Sequence, residues 1–139
     1  MESPAKITVS ILTTIPLDKA WDLWTLPEHI VNWNFASEDW CAPNATNDLK
    51  IGGTFSYRME AKDGSFGFDL KGTYIAIKPM ELIEYNLEDN RKVYIHFESK
   101  NNETHIIQTF EAENQNPIEL QQNGWQAIMN NYKIYAENL

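Results

Sequence analysis

The sequence has 139 residues, of which 42% are apolar and 22% charged, and its net charge is −9. This length predicts a single domain over residues 1–139, and the negative charge argues against binding to nucleic acid or to anionic membranes. One cysteine, Cys41, excludes a disulfide framework within the chain. Since no apolar run is long enough for a membrane span or a signal peptide, we expect a cytoplasmic protein.

The first elements are a strand and two short helices. Apolar side chains alternate over residues 6–15, which predicts a half-buried strand. Asp18 is then positioned to cap a short helix that carries Trp21 and Trp24 on one side. A proline at a first helical position predicts a second short helix over residues 27–33.

Residues 34–53 form the longest stretch without periodicity, in which Asn and Gly recur and Pro43 is also present. The stretch nevertheless contains Phe35 and Trp40. Long loops without secondary structure are uncommon in compact domains, and large aromatic side chains favour a loop that packs on the rest of the protein. We therefore interpret this segment as a packed flap in which Phe35 and Trp40 control entry to the interior.

Three turns determine how the remaining strands pair. Residues 63–64 (Asp-Gly) and 101–102 (Asn-Asn) are two-residue turn signals. Between them, a three-residue loop over residues 88–90 with a left-handed Asn90 keeps the apolar side chains of its two strands together. All three turns give the same apolar face, and this agreement predicts a six-stranded antiparallel sheet.

The last segment has the pattern of an amphipathic helix. Asn116 is positioned as its cap, Pro117 opens it, and Glu119 completes a capping box. An apolar stripe then recurs every three or four residues up to Leu139. Because no other element is long enough to cover the sheet, the sequence predicts an α+β domain in which this helix lies on the apolar face.

Four runs of the sequence carry a family resemblance: WDLWTLPEHIVNW, DLKIGGTFSYRMEAKDGSFGFD, GTYIAIKP and NGWQAIMNNY. They resemble bacterial proteins similar to the activator of heat-shock-protein-90 ATPase, within the START-like (SRPBCC) superfamily. The resemblance implies the helix-grip fold, a curved six-stranded antiparallel sheet around a long C-terminal helix with two short helices after the first strand. It also implies a hydrophobic cavity. Members bind lipids, plant hormones or polyketides, and only some are catalytic.

Residues that commonly carry catalysis are few and dispersed. His29, His96 and His105 fall on separate elements, whereas zinc needs three or four convergent ligands. Cys41 has no histidine at a local motif spacing and is expected to be a small buried side chain. We therefore expect no catalytic residue of these types, no metal site and no cofactor.

The strongest charged group is Arg58, Glu60 and Asp69, with Arg58 directly opposite Asp69 in the predicted register. One interpretation is a cross-strand ion pair on the solvent side of the sheet. The other is that Arg58 binds a ligand carboxylate at the mouth of a pocket. Strand alternation favours the solvent side.

Aromatic side chains and two amides suggest a ligand site between sheet and helix. Gln108 and Gln121 lie on apolar faces, where a buried amide needs a partner. Gly124, in the middle of a helix, suggests a close approach of the sheet or of a bound molecule. Apolar walls with a few polar groups are typical of small-molecule pockets. The candidate ligand-binding residues are Phe35, Trp40, Phe55, Tyr57, Phe68, Tyr85, Phe97, Gln108, Gln121, Trp125, Met129 and Tyr132.

Three functions are consistent with these features. The favoured hypothesis is non-enzymatic binding of a hydrophobic or aromatic small molecule, lipid-like or polyketide-like. An alternative is a chaperone-associated protein-interaction module, which requires Trp33 or Trp40 in an exposed apolar patch. A third is a proton-transfer enzyme resembling the cyclases of the superfamily, with Asp69 or Glu60 as base inside the cavity. We expect a monomer, or a weak homodimer formed through an exposed edge strand.

Overall fold

The computed structural model describes residues 5–139 and contains one antiparallel sheet with three helices. The strands are β1 (Lys6–Thr13), β2 (Trp40–Cys41), β3 (Ala45–Asn47), β4 (Thr54–Ala61), β5 (Gly67–Lys78), β6 (Leu82–Leu87), β7 (Lys92–Lys100) and β8 (Glu103–Glu111). The helices are α1 (Leu17–Thr25), α2 (Pro27–Ile30) and α3 (Ile118–Glu137). Along the sheet the order is β1-β8-β7-β6-β5-β4-β2, and β3 also pairs with β4. The α+β class and the long C-terminal helix are confirmed.

The six long strands agree with the sequence prediction, but the sheet of residues 5–139 has eight strands rather than six. The two additional strands, β2 and β3, lie in the segment that we interpreted as a loop. Both pair with the outer edge of β4, where the Arg58 amide also donates to the Asn44 carbonyl at 2.8 Å. A sheet edge presents unpaired backbone groups, and these short strands satisfy them. At two and three residues they are too short to produce a periodic pattern.

The predicted registers of the three hairpins are confirmed. Arg58 lies opposite Asp69, and Phe97 lies opposite Ile106. The turn asparagines adopt the left-handed conformation that such turns require, with φ of 68° at Asn90 and 52° and 67° at residues 101 and 102. Strand pairing was therefore predictable from turn chemistry together with alternation.

Neither predicted helix cap forms. Helix α1 begins at Leu17 with Pro16 in the cap position, and Asp18 lies inside the first turn. Helix α3 begins at Ile118, after Pro117, and the side chain of Asn116 does not cap it. In both cases a proline occupies the cap position. Asp18 therefore lies two residues after the cap of α1, and Asn116 lies one residue before the cap of α3. The second helix, α2, is also shorter than predicted.

Helix α3 runs beside β1 and supplies side chains to its free edge. The Gln126 amide donates to the Ser10 carbonyl at 3.0 Å, and its oxygen accepts from the Ser10 amide at 3.3 Å. Further along, the Glu137 carboxylate accepts from the Thr14 amide at 2.9 Å. These bonds occupy backbone groups that a second strand would otherwise pair with. The side chains of α3 therefore cover part of the β1 edge, and a homodimer formed through an edge strand stays a prediction.

One part of the interior is filled with contacting rings, and we call it the packed region: Trp21, Trp24, Phe97, Met129 and Tyr132. Met129 and Tyr132 are fully buried. The Trp21 ring meets Phe97 with centroids 5.1 Å apart, and the Trp24 ring meets Tyr132 at 5.0 Å. Helix α1 and the C-terminal part of α3 close on the sheet here. None of the three helices within residues 5–139 has the length and apolar character needed to cross a bilayer.

Candidate functional site

A cavity of about 230 Å³ lies beside the packed region. Most of its wall is aromatic or aliphatic, and a minority of the lining side chains are polar. The lining residues are Trp24, Thr25, Trp33, Asn34, Asn47, Tyr57, Met59, Phe68, Leu70, Tyr74, Ile83, Tyr85, Arg91, Ile95, Gln108, Trp125 and Ile128.

The sheet supplies much of the wall because alternate residues of a strand share one face. Tyr57 and Met59 come from β4 in this way, and Ile83 and Tyr85 come from β6. Behind this wall, Phe55 packs against Tyr57 with ring centroids 4.7 Å apart. The Phe55 ring has room because the facing residue, Gly72, has no side chain, and a Cβ there would come within 2.5 Å of it.

A chain of polar groups runs along one side of the cavity. The Tyr74 hydroxyl donates to the Asn47 side-chain oxygen at 2.5 Å, and the Asn47 amide donates to the Thr25 carbonyl at 2.7 Å. Burial raises the pKa of Tyr74 to about 12. Burial also raises the pKa of Tyr57 well above its usual value, and the neighbouring phenol of Tyr74 adds to this effect. Both phenols are therefore neutral at pH 7 and can donate as well as accept hydrogen bonds.

Arg91 brings a positive charge to another part of the wall. Its side chain is 22% exposed, and its Nε donates to the Asp89 carboxylate at 2.6 Å. The pKa of Tyr85 is raised by burial and by Tyr74, while the guanidinium of Arg91 and the side chain of Gln108 act in the opposite direction. An arginine charge thus lies close enough to affect a phenol inside the cavity.

Asn34 contributes a second unusual polar group. The residue is 5% exposed and lines the cavity. Within residues 5–139, its side-chain nitrogen has no hydrogen-bond partner. Buried polar atoms without a partner are rare in proteins, and such an atom requires an explanation.

Residues 14–137 match the family model described as activator of Hsp90 ATPase homolog 1-like protein. The chain belongs to this family. The AHSA1-like protein of Aeromonas hydrophila has a solution structure that is 36% identical, with a TM-score of 0.86 over 95% of this chain and 93% of that one. A solution structure from Cytophaga hutchinsonii is 49% identical, with a TM-score of 0.83 over 96% of this chain and 92% of that one. No curated protein matches this chain.

A more distant structure shows the fold alone. The Chromobacterium violaceum protein CV1439 is 17% identical, with a TM-score of 0.86 over 96% of this chain and 99% of that one. Together with the two closer relatives, it confirms the helix-grip architecture of the START-like type that the resemblance implied.

Five of the twelve candidate ligand-binding residues of this AHSA1-like chain line the cavity: Tyr57, Phe68, Tyr85, Gln108 and Trp125. The other seven do not: Phe35, Trp40, Phe55, Phe97, Gln121, Met129 and Tyr132. Periodicity identified side chains that face the interior, but the interior contains both the packed region and the cavity. For the five lining residues, contact with a ligand stays a prediction.

The residues that we assigned to the roof are divided between the two regions. Trp125 lines the cavity and stacks on Phe110, with centroids 3.8 Å apart and planes 11° from parallel. Met129 and Tyr132 are fully buried in the packed region instead, and the Tyr132 hydroxyl donates to the Ala20 carbonyl at 2.7 Å. On the sheet side, Phe97 packs against α1 and does not line the cavity.

Gln121 and Gly124 have surroundings different from those we expected. The Gln121 side-chain oxygen accepts from the Glu113 amide at 2.9 Å, and its nitrogen donates to the Asn116 carbonyl at 2.8 Å. Gln121 therefore holds the segment that precedes α3 and is not bonded to Gln108. A Cβ added at Gly124 would find no atom within 4 Å. The sheet therefore does not approach Gly124 closely. A shallow groove on the surface of the protein lies there, and Trp125 and Arg91 line it as well as the cavity.

The proposed gate residues lie outside the cavity. Phe35 is half-buried after α2, and its carbonyl accepts from Asn131 at 3.4 Å. Trp40 is held in β2, where its ring lies 6.0 Å from Phe66 and 6.1 Å from Phe68. Of this aromatic cluster, only Phe68 reaches the cavity wall.

Sequence reasoning missed four polar lining residues: Thr25, Asn34, Asn47 and Arg91. Thr25 is the last residue of α1, and the other three lie in the irregular stretch or next to a turn. No period marks such positions as inward-facing. The sequence does place Arg91 next to the turn between β6 and β7. Whether its side chain points to the cavity or to solvent depends on packing, which the sequence does not show.

Arg58 forms the surface ion pairs that we favoured. Its guanidinium lies 3.3 Å from Glu60 and 3.7 Å from Asp69, and its side chain is 36% exposed. None of the three lines the cavity. The proton-transfer hypothesis required Glu60 or Asp69 inside the cavity, and that condition is not met.

Two of the three histidines have partners typical of structural side chains. His105 faces Glu98 at 3.7 Å, and His29 bonds to the Tyr135 hydroxyl at 2.7 Å. Among residues 5–139, no three His, Cys, Asp or Glu side chains come together as the ligands of a metal ion would.

Proposed function

We propose that this chain binds a hydrophobic or aromatic small molecule, lipid-like or polyketide-like, in the cavity, without catalysing a reaction of it. The observation that carries the proposal is an internal space of about 230 Å³ next to a region that the same chain fills without a comparable gap. Its volume is below the roughly 300–1,000 Å³ of pockets for drug-sized ligands. We therefore propose a ligand with one or two rings or a short chain.

The character of the wall supports this proposal. Most of the side chains that line the cavity are aromatic or aliphatic. An apolar molecule in this space would leave water and gain van der Waals contacts with these side chains.

The polar lining groups indicate how such a ligand would be oriented. The phenols of Tyr57, Tyr74 and Tyr85 and the amides of Asn34 and Gln108 all border the same space. Oriented polar groups on an apolar wall fix the direction in which a ligand binds. A ligand with oxygen atoms would pair with these groups, including the Asn34 nitrogen that lacks a partner within the described residues.

Titration of 2-naphthol into the ¹⁵N-labelled protein tests the proposal. The expected result is a set of amide shifts around Tyr57, Tyr85 and Gln108. Ile128→Trp should reduce binding by about tenfold or more, because the larger ring occupies the space that the ligand needs. Ile134→Trp is the matched control, since Ile134 lies on the same helix and is 63% exposed. Shifts confined to the outer surface would contradict the proposal.

A second candidate function has support at a different place. Trp33 is 3% exposed and cannot form a docking surface, but the aromatic cluster of Trp40, Phe66 and Phe68 lies at the surface, with Phe66 61% exposed. We propose this cluster as the contact if the chain acts as a chaperone-associated module. Purified bacterial Hsp90 should then broaden the amide signals of Trp40 and Phe68, and Phe66→Ser should abolish the effect. Ile51→Ser, at a position 68% exposed elsewhere, is the control.

A further inference from the structure

We infer that the ligand of the cavity is an anion, and that Arg91 binds its carboxylate. The inference rests on the proposed function, since it names the chemical class of the molecule in the same cavity. It differs from the earlier suggestion for Arg58, whose side chain lies on the outer face of the sheet. Four observations carry it: the charge of the wall, the position of Arg91, its free donors and the neighbouring phenol.

The first observation is the charge of the cavity wall. Among the described residues that line the cavity, Arg91 alone is charged, and none is Asp or Glu. The chain as a whole has a net charge of −9. A cavity with a single positive charge is thus set inside a strongly acidic protein. Arg91 is itself paired with the Asp89 carboxylate outside the cavity, so it is the one charged side chain of the described wall that a bound ligand would meet.

The second observation is the position of the guanidinium. Arg91 lines both the cavity and the adjacent surface groove, and it shares this position with Trp125. A ligand whose apolar part lies in the cavity would therefore present its polar end to Arg91 at the boundary with solvent. Such an arrangement leaves the carboxylate partly hydrated and lowers the cost of burying its charge.

The third observation is which N–H groups of Arg91 are already hydrogen-bonded. A guanidinium carries five N–H donors in a planar fork that matches a carboxylate. Nε donates to Asp89, and Nη1 donates to the Glu111 carbonyl at 3.3 Å. Within the part of the chain that the structure describes, Nη2 has no hydrogen-bond partner. Asp89 is itself 54% exposed, so it holds one edge of the fork in place from the solvent side.

The fourth observation is the neighbouring phenol. Tyr85 and Gln108 line the cavity in the surroundings of Arg91, and the positive charge already influences Tyr85. A neutral phenol can donate a hydrogen bond to a carboxylate oxygen, as can the Gln108 amide. The three side chains therefore offer donors of the kind that bind an acidic group.

Two isosteric probes, 2-naphthoate and 2-naphthamide, test the inference, because they share one ring system and differ in charge. Each is titrated into the ¹⁵N-labelled protein and followed by amide shifts. The parent should bind the naphthoate about tenfold or more tightly than the naphthamide, as expected for a charge-assisted pair. Arg91→Gln should abolish this preference, by weakening naphthoate binding to about the level of naphthamide binding. Arg91→Lys, which keeps the charge without the fork, should retain part of it.

The control is Arg58→Gln, which removes the same charge from another arginine that is paired with carboxylates outside the cavity. It should keep the preference. Equal binding of the two probes, or an equal loss of preference in the Arg58 and Arg91 variants, would overturn the inference while the proposed function stands. If neither probe nor 2-naphthol shifts the amides of the cavity residues, the proposed function fails as well.

Discussion

The interior differs on the two sides of Trp24 and Trp33. On one side the rings of both contact Tyr132, each with centroids 5.0 Å apart, and the space is filled. On the other side the same two rings border the cavity. The wall between the packed region and the cavity is thus a pair of indoles. A ligand in the cavity would contact them directly.

The two regions also differ in how their polar atoms are satisfied. In the packed region the Tyr132 hydroxyl donates to a backbone carbonyl at 2.7 Å, and next to it the Trp33 ring nitrogen donates to the Leu23 carbonyl at 2.9 Å. Around the cavity, the Tyr74 hydroxyl bonds to another side chain, Asn47, and the Asn34 nitrogen has no partner within residues 5–139. The packed region and the cavity are both rich in aromatic rings, and they differ in the partners of these polar atoms.

The largest effect should come from truncating a ring in the packed region. Tyr132→Ala removes a fully buried ring and leaves a cavity, so the free energy of unfolding should fall by about 3–5 kcal/mol. Tyr57→Ala removes a ring that already borders an open space, and its cost should be about half of that. Urea denaturation with unchanged m-values measures both. Equal costs would show that the two regions do not differ in packing.

Enlarging a side chain should give the same contrast, with smaller changes in the free energy of unfolding. Ile106 is fully buried and does not line the cavity, so Ile106→Phe should cost about 1–3 kcal/mol through overpacking. Ile128 lines the cavity, and Ile128→Phe should change the free energy of unfolding by less than about 1 kcal/mol. The same urea titrations decide the matter, and a larger loss for the Ile128 variant would contradict the comparison.

The smallest effect is a change in alkaline stability. The pKa of Tyr74 is about 12 in the folded protein against 10.0 for a free phenol, so the unfolded chain loses this proton first. Its contribution to stability is therefore complete below pH 10 and is lost between pH 10 and about 12. In Tyr74→Phe the decline over this range should be shallower, by up to about 1.4 kcal/mol per pH unit.

Below pH 10 the same variant should be about 1 kcal/mol less stable than the parent, because the bond to Asn47 is lost. The two stability curves should therefore converge as the pH rises above 10. Guanidinium titrations at several pH values between 8 and 12 measure them. Parallel curves would mean that the Tyr74 hydroxyl is not buried in solution.

Strand pairing could be predicted from the sequence, whereas the exact lining of the cavity could not. The turn at Asn90 and the alternation on either side of it are local signals, and they determined the register of β6 and β7. The cavity is the space left between side chains that are distant in sequence, such as Asn34, Tyr85 and Trp125. No local sequence pattern indicates which side chains border that space.

The errors at the helix starts have a local cause. A polar residue near a proline satisfied the capping rule, but Pro16 and Pro117 themselves occupy the two cap positions. Arg91 was missed for a different reason. Its importance comes from the absence of other charges around the cavity, and this became visible only when the lining residues were known.

The side chains that α3 extends to β1 have a consequence for how the protein folds. Ser10 and Gln126, which bond to each other, are 116 residues apart. Until the helix docks, the backbone of β1 can pair with any other extended chain that it meets. Contacts between residues so distant in sequence slow folding, and the pairing of β1 with β8 is of the same kind. A variant that loosens the docked helix should therefore leave the β1 edge free and favour intermolecular sheets.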